Sequence, residues 1–516
     1  MLLVSYEFFA FLAVLAVSYY LIPGRFQWLL LLAASYLFYA WGGIAYLLYP
    51  VITTVTTWFL AREIGRLDLR NAEDNRNQNC IRKKQKCLMA LGLLLNFGIM
   101  AVLKYTNFIL ENVGHVMGLA GVQGEMVYTS WLLPLGLSYY TFQSMGYLVD
   151  VYYQKYGPEK NLARLGLFVS FFPQMVSGPI SRYEQMNKEL YTPHKFDWKQ
   201  VKLGLERLLW GYFKKLVVAD RLGPAVTIMM SAPEEYEGIY GFIAMIGYTV
   251  WLYADFSGCM DIVLGVAKIL SIRLPENFER PFFSKSLGEL WRRWHISLMG
   301  WLREYIFLPV SMSRFSRRVS KSVSVMKGKR SGAKARVYVS TLAVWLVSGI
   351  WHGASWEFVT WGIANCMVLL ISQELTGDYK KFHRRFAFSN TRGYQYFQSI
   401  RTFLLFAFLE MFSCYPFRTV LALTGSMVTR FRISQLWDGR FEALGLAKAD
   451  VGILAFGVVL MFLVSMSART EDVWERLERR SAILRYMAVF GLFLLVLVTG
   501  SYGHGYDARQ FIYNQF

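Results

Sequence analysis

His352 and His295 are the two residues in this chain best placed to move a proton. His352 lies in SGIWHGASWEFVTWG and His295 in WRRWHISL. The other four histidines fall in connecting segments or the tail: His115, His194, His383 and His504. Imidazole titrates near neutrality, so it can take a proton from a hydroxyl while that oxygen attacks an acyl carbonyl. His352 follows the last basic residue of a Lys/Arg-rich segment, Arg336, by 16 positions. At about 1.5 Å per helical residue this places it roughly 24 Å along a helix, past the middle of a hydrocarbon layer about 30 Å thick. A polar ring at that depth is expensive unless it faces a cavity or a partner. Trp345, Ser348, Ser355, Trp356 and Val359 share or flank its face by the three-and-four spacing of a helix. Small Ser and Gly side chains would leave room beside the ring. The plain alternative is a histidine that packs and hydrogen-bonds between helices.

His295 stands among Trp291, Arg292, Arg293, Trp294, Trp301 and Arg303. Tryptophan and arginine at this density suit a headgroup-level anchor. They equally suit a pocket for an anionic donor with a second histidine beside it. Neither histidine has a His, Cys or Asp three or four residues away, so a helical zinc pair is not expected. The five cysteines form no CxxC and are odd in number, which argues against a disulfide framework. Two acids in an apolar segment, Asp255 and Asp261, have open roles. They could orient a histidine or substrate, or neutralise Arg292 or Arg293 in a buried ion pair.

The elements that must position these residues are membrane helices. Apolar residues make up 55% of the 516-residue chain and charged residues 17%, too few to cover a soluble surface. The net charge of +20 is concentrated in short runs between apolar segments. Retention of Lys and Arg on the cytoplasmic side explains this without nucleic acid, which is not an expected partner. Apolar segments are expected at 2–22, 27–50, 48–62, 88–110, 129–149, 162–178, 201–230, 238–270, 337–371, 398–417, 450–468 and 483–501, giving about 11 transmembrane helices. The stretch 62–86 and the run 311–336, with nine basic residues and no acid, mark the cytoplasmic side. Residues 274–310 are too polar for lipid and too apolar for a free loop. They read as re-entrant or interfacial short helices. The expected fold is therefore all-α, a polytopic membrane protein with short helices around a central funnel.

The strings WRRWHISLMGWLREYIFLP and WHGASW resemble the signature of the membrane-bound O-acyltransferases. The branch they resemble is the bacterial alginate O-acetyltransferase and teichoic-acid D-alanyltransferase group. LPLGLSYYTFQSMGYLVDVY at 133–152, FFPQMVSGPISRY at 171–183, GYFKKLVVADRL at 211–222 and YADFSGCMDIVLG at 253–265 extend the resemblance over most of residues 1–370. It implies an acyltransferase core at 1–370 and additional transmembrane helices at 371–516. It puts the catalytic role on His352, with His295 supporting it or lying on the donor side. Trp291, Arg292, Arg293, Trp294, Arg303, Ser348, Ser355, Trp356 and Asn365 become candidate donor or substrate contacts, with Asp255 and Asp261 in support and no metal. Two departures stand out. The LPV-like stretch leads into a longer basic loop than in relatives, and Asn365 occupies the position where many relatives carry a further histidine.

The expectation that follows is transfer of an acyl group, foremost acetyl, from a cytosolic thioester to a hydroxyl of an exported polysaccharide. No cofactor is expected to be tightly bound. Acetyl-CoA or another acyl thioester is the donor substrate. Candidate partners are an acyl carrier protein, an extracytoplasmic acetyltransferase and the bilayer itself, in a bacterial cytoplasmic membrane. D-alanyl transfer from a carrier protein to teichoic acid is the second reading. A non-enzymatic transporter, suggested by Asp255 and Asp261, is the third. The basic run 311–336 would attract phosphates or an acidic carrier, or serve topology alone.

Overall fold

The computed structural model describes residues 1–73, 78–121, 128–131, 134–175, 178–468 and 473–502. Arg76, His504 and parts of the 133–152 and 171–183 motifs lie outside them. The described residues are helical, with no strand beyond one isolated bridge between Phe278 and Trp294. Six helices are long and apolar enough to cross a membrane, or seven if the bent pair Trp356–Glu374 and Thr376–Arg385 counts as one span. Shorter apolar helices such as Tyr6–Leu21 add to these.

Contacts divide the chain into two compact units. One comprises Met1–Leu205 with Val263–Pro275, the other Glu206–Ile262 with Glu276–Phe516. In the first, Leu137–Tyr152 is buried along nearly its whole length. The division at residue 370 expected from the sequence falls within the second of these units.

The second unit holds both singled-out histidines. Helix Ile239–Ile269 contributes its first three-quarters here and is largely buried. It meets the helix Trp198–Tyr212 where Gly211 faces Gly258. A Cβ on Gly211 would come within 2.7 Å of the Gly258 carbonyl oxygen. Small residues let helices approach this closely. A seven-residue π-helix, Phe213–Ala219, follows at once, and every residue in it is buried, including Lys214 and Lys215. Such wide turns break the α-helical register and often mark functional or strained places.

Three local expectations change. The helix thought to run from 337 to 371 is two helices, Lys329–His352 and Trp356–Glu374, so His352 is a helix-terminal residue. The run breaks at Gly353, which is extended, and a Cβ there would sit 2.1 Å from the Phe358 ring, so the position requires glycine. The long basic loop after the LPV stretch is a helix, Arg314–Lys327, joined to the next at Gly328. Ser313 starts it by accepting from the Ser316 amide, and Gly328, at φ 85°, supplies the left-handed turn. Finally, the third segment, expected at 48–62, runs on past its expected end, because Leu48–Glu73 is one 26-residue helix. Residues 287–312 do fold as short helices: Leu287–Arg293, Ile296–Leu302, a π-turn Arg303–Phe307 and Leu308–Met312.

Candidate active site

His295 occupies the break between two of these short helices with φ 48°, a left-handed conformation rare for a residue with a Cβ. Its neighbour Asn277 holds it there. The Ile296 amide donates to the Asn277 carbonyl at 3.0 Å, and the Glu279 amide to the Arg293 carbonyl at 2.9 Å. Asn277 Oδ1 accepts from the Ser297 amide at 3.0 Å and from the Ser297 hydroxyl at 2.9 Å. The same oxygen is 3.3 Å from His295 Nδ1. A backbone amide can only donate, so that Asn277 atom is an acceptor, and Nδ1 must carry the ring hydrogen. Nε2 is then the basic nitrogen of His295. The ring is 1% exposed and meets Phe256 edge-on at 4.8 Å.

His352 ends its helix and is partly exposed. Trp361 meets its ring edge-to-face at 5.0 Å between centroids, and Phe358 lies nearly parallel at 6.3 Å. Trp351 bridges the two histidines, 4.9 Å from His352 and 6.0 Å from His295. Both imidazoles line one cavity of about 30 Å³, together with Trp291, Trp294, Ser348 and Glu410. Trp291 and Trp361 line it, and with Trp345 behind them they pack mutually edge-to-face at 4.9–5.7 Å.

The candidate residues thus separate. His295, His352, Trp291, Trp294 and Ser348 come together. Asn365 sits one layer behind. Its Oδ1 accepts from Trp291 Nε1 at 3.1 Å and its Nδ2 donates to the Trp361 carbonyl at 3.0 Å. Ser355 stands at the N-cap of the next helix, and Trp356 is 60% exposed. Neither shares the face of His352, because the helix ends before them. Arg292 and Arg303 are exposed, and Arg293 pairs with Glu289 at 2.8 Å. These three do not line the cavity.

Asp255 and Asp261 do form buried ion pairs, but not with Arg292 or Arg293. Lys215 Nζ is 2.6 Å from Asp255 and 2.7 Å from Asp220. Lys214 Nζ is 2.6 Å from Asp261, and Arg207 binds both Asp261 and Glu276. The two lysines come from the motif GYFKKLVVADRL, within the π-helix, and Arg207 from the helix Trp198–Tyr212 before it. A π-turn rotates two successive lysines inward, and no helical-wheel argument anticipates that.

Two contributors escaped the sequence reading. Asn277, in LPENFERP, carried no motif signal. Glu410 did: it is a lone acid in the apolar run TFLLFAFLEMF, the pattern that makes an intramembrane ionisable group worth singling out.

A multi-spanning helical protein with two imidazoles meeting in a buried, aromatic-walled cavity defines a class of intramembrane group-transfer proteins. The description "MBOAT, membrane-bound O-acyltransferase family" matches residues 160–327 and 323–415. The probable alginate O-acetylase of Azotobacter vinelandii is 32% identical over 72% of this chain and 68% of its own length. That of Pseudomonas aeruginosa is also 32% identical, over 71% of this chain and 65% of its own length. The peptidoglycan O-acetyltransferase of Helicobacter pylori is 28% identical over 73% and 71%. The teichoic acid D-alanyltransferase of Bacillus subtilis is 28% identical over only 46% of this chain and 58% of its own. The chain belongs to the membrane-bound O-acyltransferase family and is an O-acyltransferase by class.

Proposed function

We propose that this protein transfers an acetyl group from a cytosolic thioester to a hydroxyl of an exported glycan in the bacterial cytoplasmic membrane, with His352 as general base. The observation that carries this reading is the convergence of His352 and His295 on one cavity. His352 takes the acceptor's hydroxyl proton as the oxygen bonds to the acyl carbonyl. The carbon–sulfur bond then breaks, and the departing thiolate takes the proton back from the imidazolium. His295, oriented by Asn277, presents Nε2 to the same space and supports the developing charge. Ser348 supplies a hydroxyl beside both rings.

Cavity size supports a short acyl group. About 30 Å³ admits roughly two water molecules, the scale of an acetyl unit and not of a long chain. The acetylating relatives named above match over more of this chain than the D-alanyltransferase does. Coenzyme A or a carrier protein would deliver the thioester to the basic cytoplasmic face, where the helix Arg314–Lys327 offers cations. The functional core is placed at residues 1–370 and the appended helices at 371–516. An extracytoplasmic acetyltransferase would be the natural recipient where the glycan is not itself the first acceptor.

D-alanyl transfer from a carrier is the second reading, because the same bond rearrangement serves an aminoacyl thioester and a D-alanyltransferase is among the relatives. The test is acyl transfer by the purified protein from acetyl-CoA and from a D-alanyl carrier thioester, beside His352→Ala. Acetyl esters formed by the wild type and absent with the variant are expected. Transfer of D-alanine alone favours the second reading, and transfer undiminished by His352→Ala removes the histidine from the chemistry.

A further inference from the structure

Glu410 is the one carboxyl group among the described residues lining the histidine cavity, and the acid–base scheme above leaves it without a task. It lies on the helix Arg392–Cys414 and is 4% exposed. Trp361 Nε1 donates to its Oε1 at 3.1 Å. No lysine or arginine among the described residues forms an ion pair with it. The other titratable groups facing it are Tyr248 from helix Ile239–Ile269, His295 and His352 across the cavity, and Cys414 on its own helix. Trp361, which holds the carboxyl, also packs edge-to-face on the His352 ring. One indole therefore sets the position of both groups.

An isolated carboxyl at such a place has a substantial desolvation cost, and a leucine would pack there more cheaply. The compensation available in this cavity is a cation that exists only during turnover. When the imidazole of His352 gains the acceptor's proton, it becomes a cation in an apolar, aromatic-walled space. A carboxylate lining the same space lowers the energy of that state without lowering that of the resting neutral ring, which is the condition for accelerating a chemical step.

We propose that Glu410 is a positioning and counter-charge residue for the His352 imidazolium, held by Trp361. The assignment rests on the acyl-transfer reading of the site. The proton path is unchanged: hydroxyl to His352, then His352 to the leaving sulfur.

The experiment compares wild type, Glu410→Gln, Glu410→Asp and Glu410→Leu as folded, detergent-purified proteins, each assayed for acetyl transfer from acetyl-CoA across pH. Glutamine keeps the acceptor for Trp361 Nε1 and removes the charge. It is expected to lower kcat about tenfold or more with little change in KM. It also moves the acid limb of the kcat/KM profile down by about half a unit, because loss of a neighbouring anion makes the imidazole harder to protonate. Asp is expected to restore part of the rate and the original limb. Wild-type kcat and profile in Glu410→Gln overturn the proposal. So does a loss in Leu that Gln largely escapes, with an unmoved acid limb in Gln, which would mark Glu410 only as the hydrogen-bond acceptor of Trp361. If Glu410→Gln does not fold, Glu410→Leu decides, a wild-type rate and an unmoved acid limb there overturning the proposal. A wild type that transfers nothing, or a fully active His352→Ala, would instead refute the acyl-transfer reading itself.

Discussion

Two clusters of ionisable side chains are buried within the second unit, and they are built on opposite principles. In the ion network, Lys215 faces two carboxylates, and Lys214 and Arg207 share Asp261 at 2.6–2.9 Å. Each charge has an opposite charge at contact. In the histidine cavity, two imidazoles and one carboxyl are separated by aromatic walls, and Glu410 has an indole N–H where a cation would neutralise it. A closed network has no free valence to offer a substrate. An open cluster keeps its capacity for the moment a proton moves. The difference explains why Asp255 and Asp261, suspicious in the sequence as possible substrate groups, are better understood as the ties that fasten the π-helix to its neighbour.

The sharpest way to break this contrast is to remove one member from each cluster. His352→Ala is expected to reduce acyl transfer by about 10²–10⁴-fold, the usual reach of a general base, with a melting temperature close to wild type. Asp255→Asn is expected to do the reverse. It leaves Lys215 only partly compensated, which typically costs about 3–5 kcal/mol when a buried pair is broken. The readout is lower thermal stability in detergent and poor recovery from the membrane, with the folded fraction retaining its specific activity. Loss of activity without loss of stability in Asp255→Asn would move the ion network into the catalytic machinery and erase the distinction.

Asn277 offers an intermediate test, since it belongs to neither cluster and yet sets the geometry of one. It accepts three hydrogen bonds around a residue with φ 48°. Asn277→Ala is expected to lower turnover about tenfold, with a stability loss of about 1–3 kcal/mol from donors left unpaired. Asn277→Asp, which keeps the acceptor, should recover most of both. An unaltered rate in a protein of reduced stability would make His295 a structural residue.

Much of this architecture was legible in the residues themselves. Low charge, long apolar runs and clustered Lys/Arg declared membrane helices, and the mixed composition of 274–310 declared short helices. His352 could be singled out because imidazole is costly at depth, His295 by the tryptophans and arginines around it, and the motif strings tied both to one chemistry. Three things were not legible. The need for glycine at the 353 break depends on the Phe358 ring occupying the space of a Cβ, a tertiary contact with no local signature. The inward turn of Lys214 and Lys215 depends on π-helical winding, so the partners of Asp255 and Asp261 were sought among the wrong basic residues. Asn277 reaches His295 across 18 positions through an irregular turn, and periodicity says nothing about such pairs. Glu410 differs from these, because a lone acid inside TFLLFAFLEMF was open to the same depth argument that exposed His352.

The smallest effect on activity is expected at Asn365. Its side chain is fully buried, receives Trp291 Nε1–H and caps back on the Trp361 carbonyl, one layer behind the cavity. That position supports the two tryptophans and does not reach the reacting groups. Asn365→Ala should therefore cost about 1–3 kcal/mol, because the Trp291 N–H loses its acceptor, while changing kcat only a few-fold. Melting temperature and kcat measured on the same preparation separate the two effects. A hundred-fold loss of kcat with intact stability would show that Asn365 acts on the substrate, and the boundary between the open cluster and its aromatic support would have to be redrawn one layer deeper.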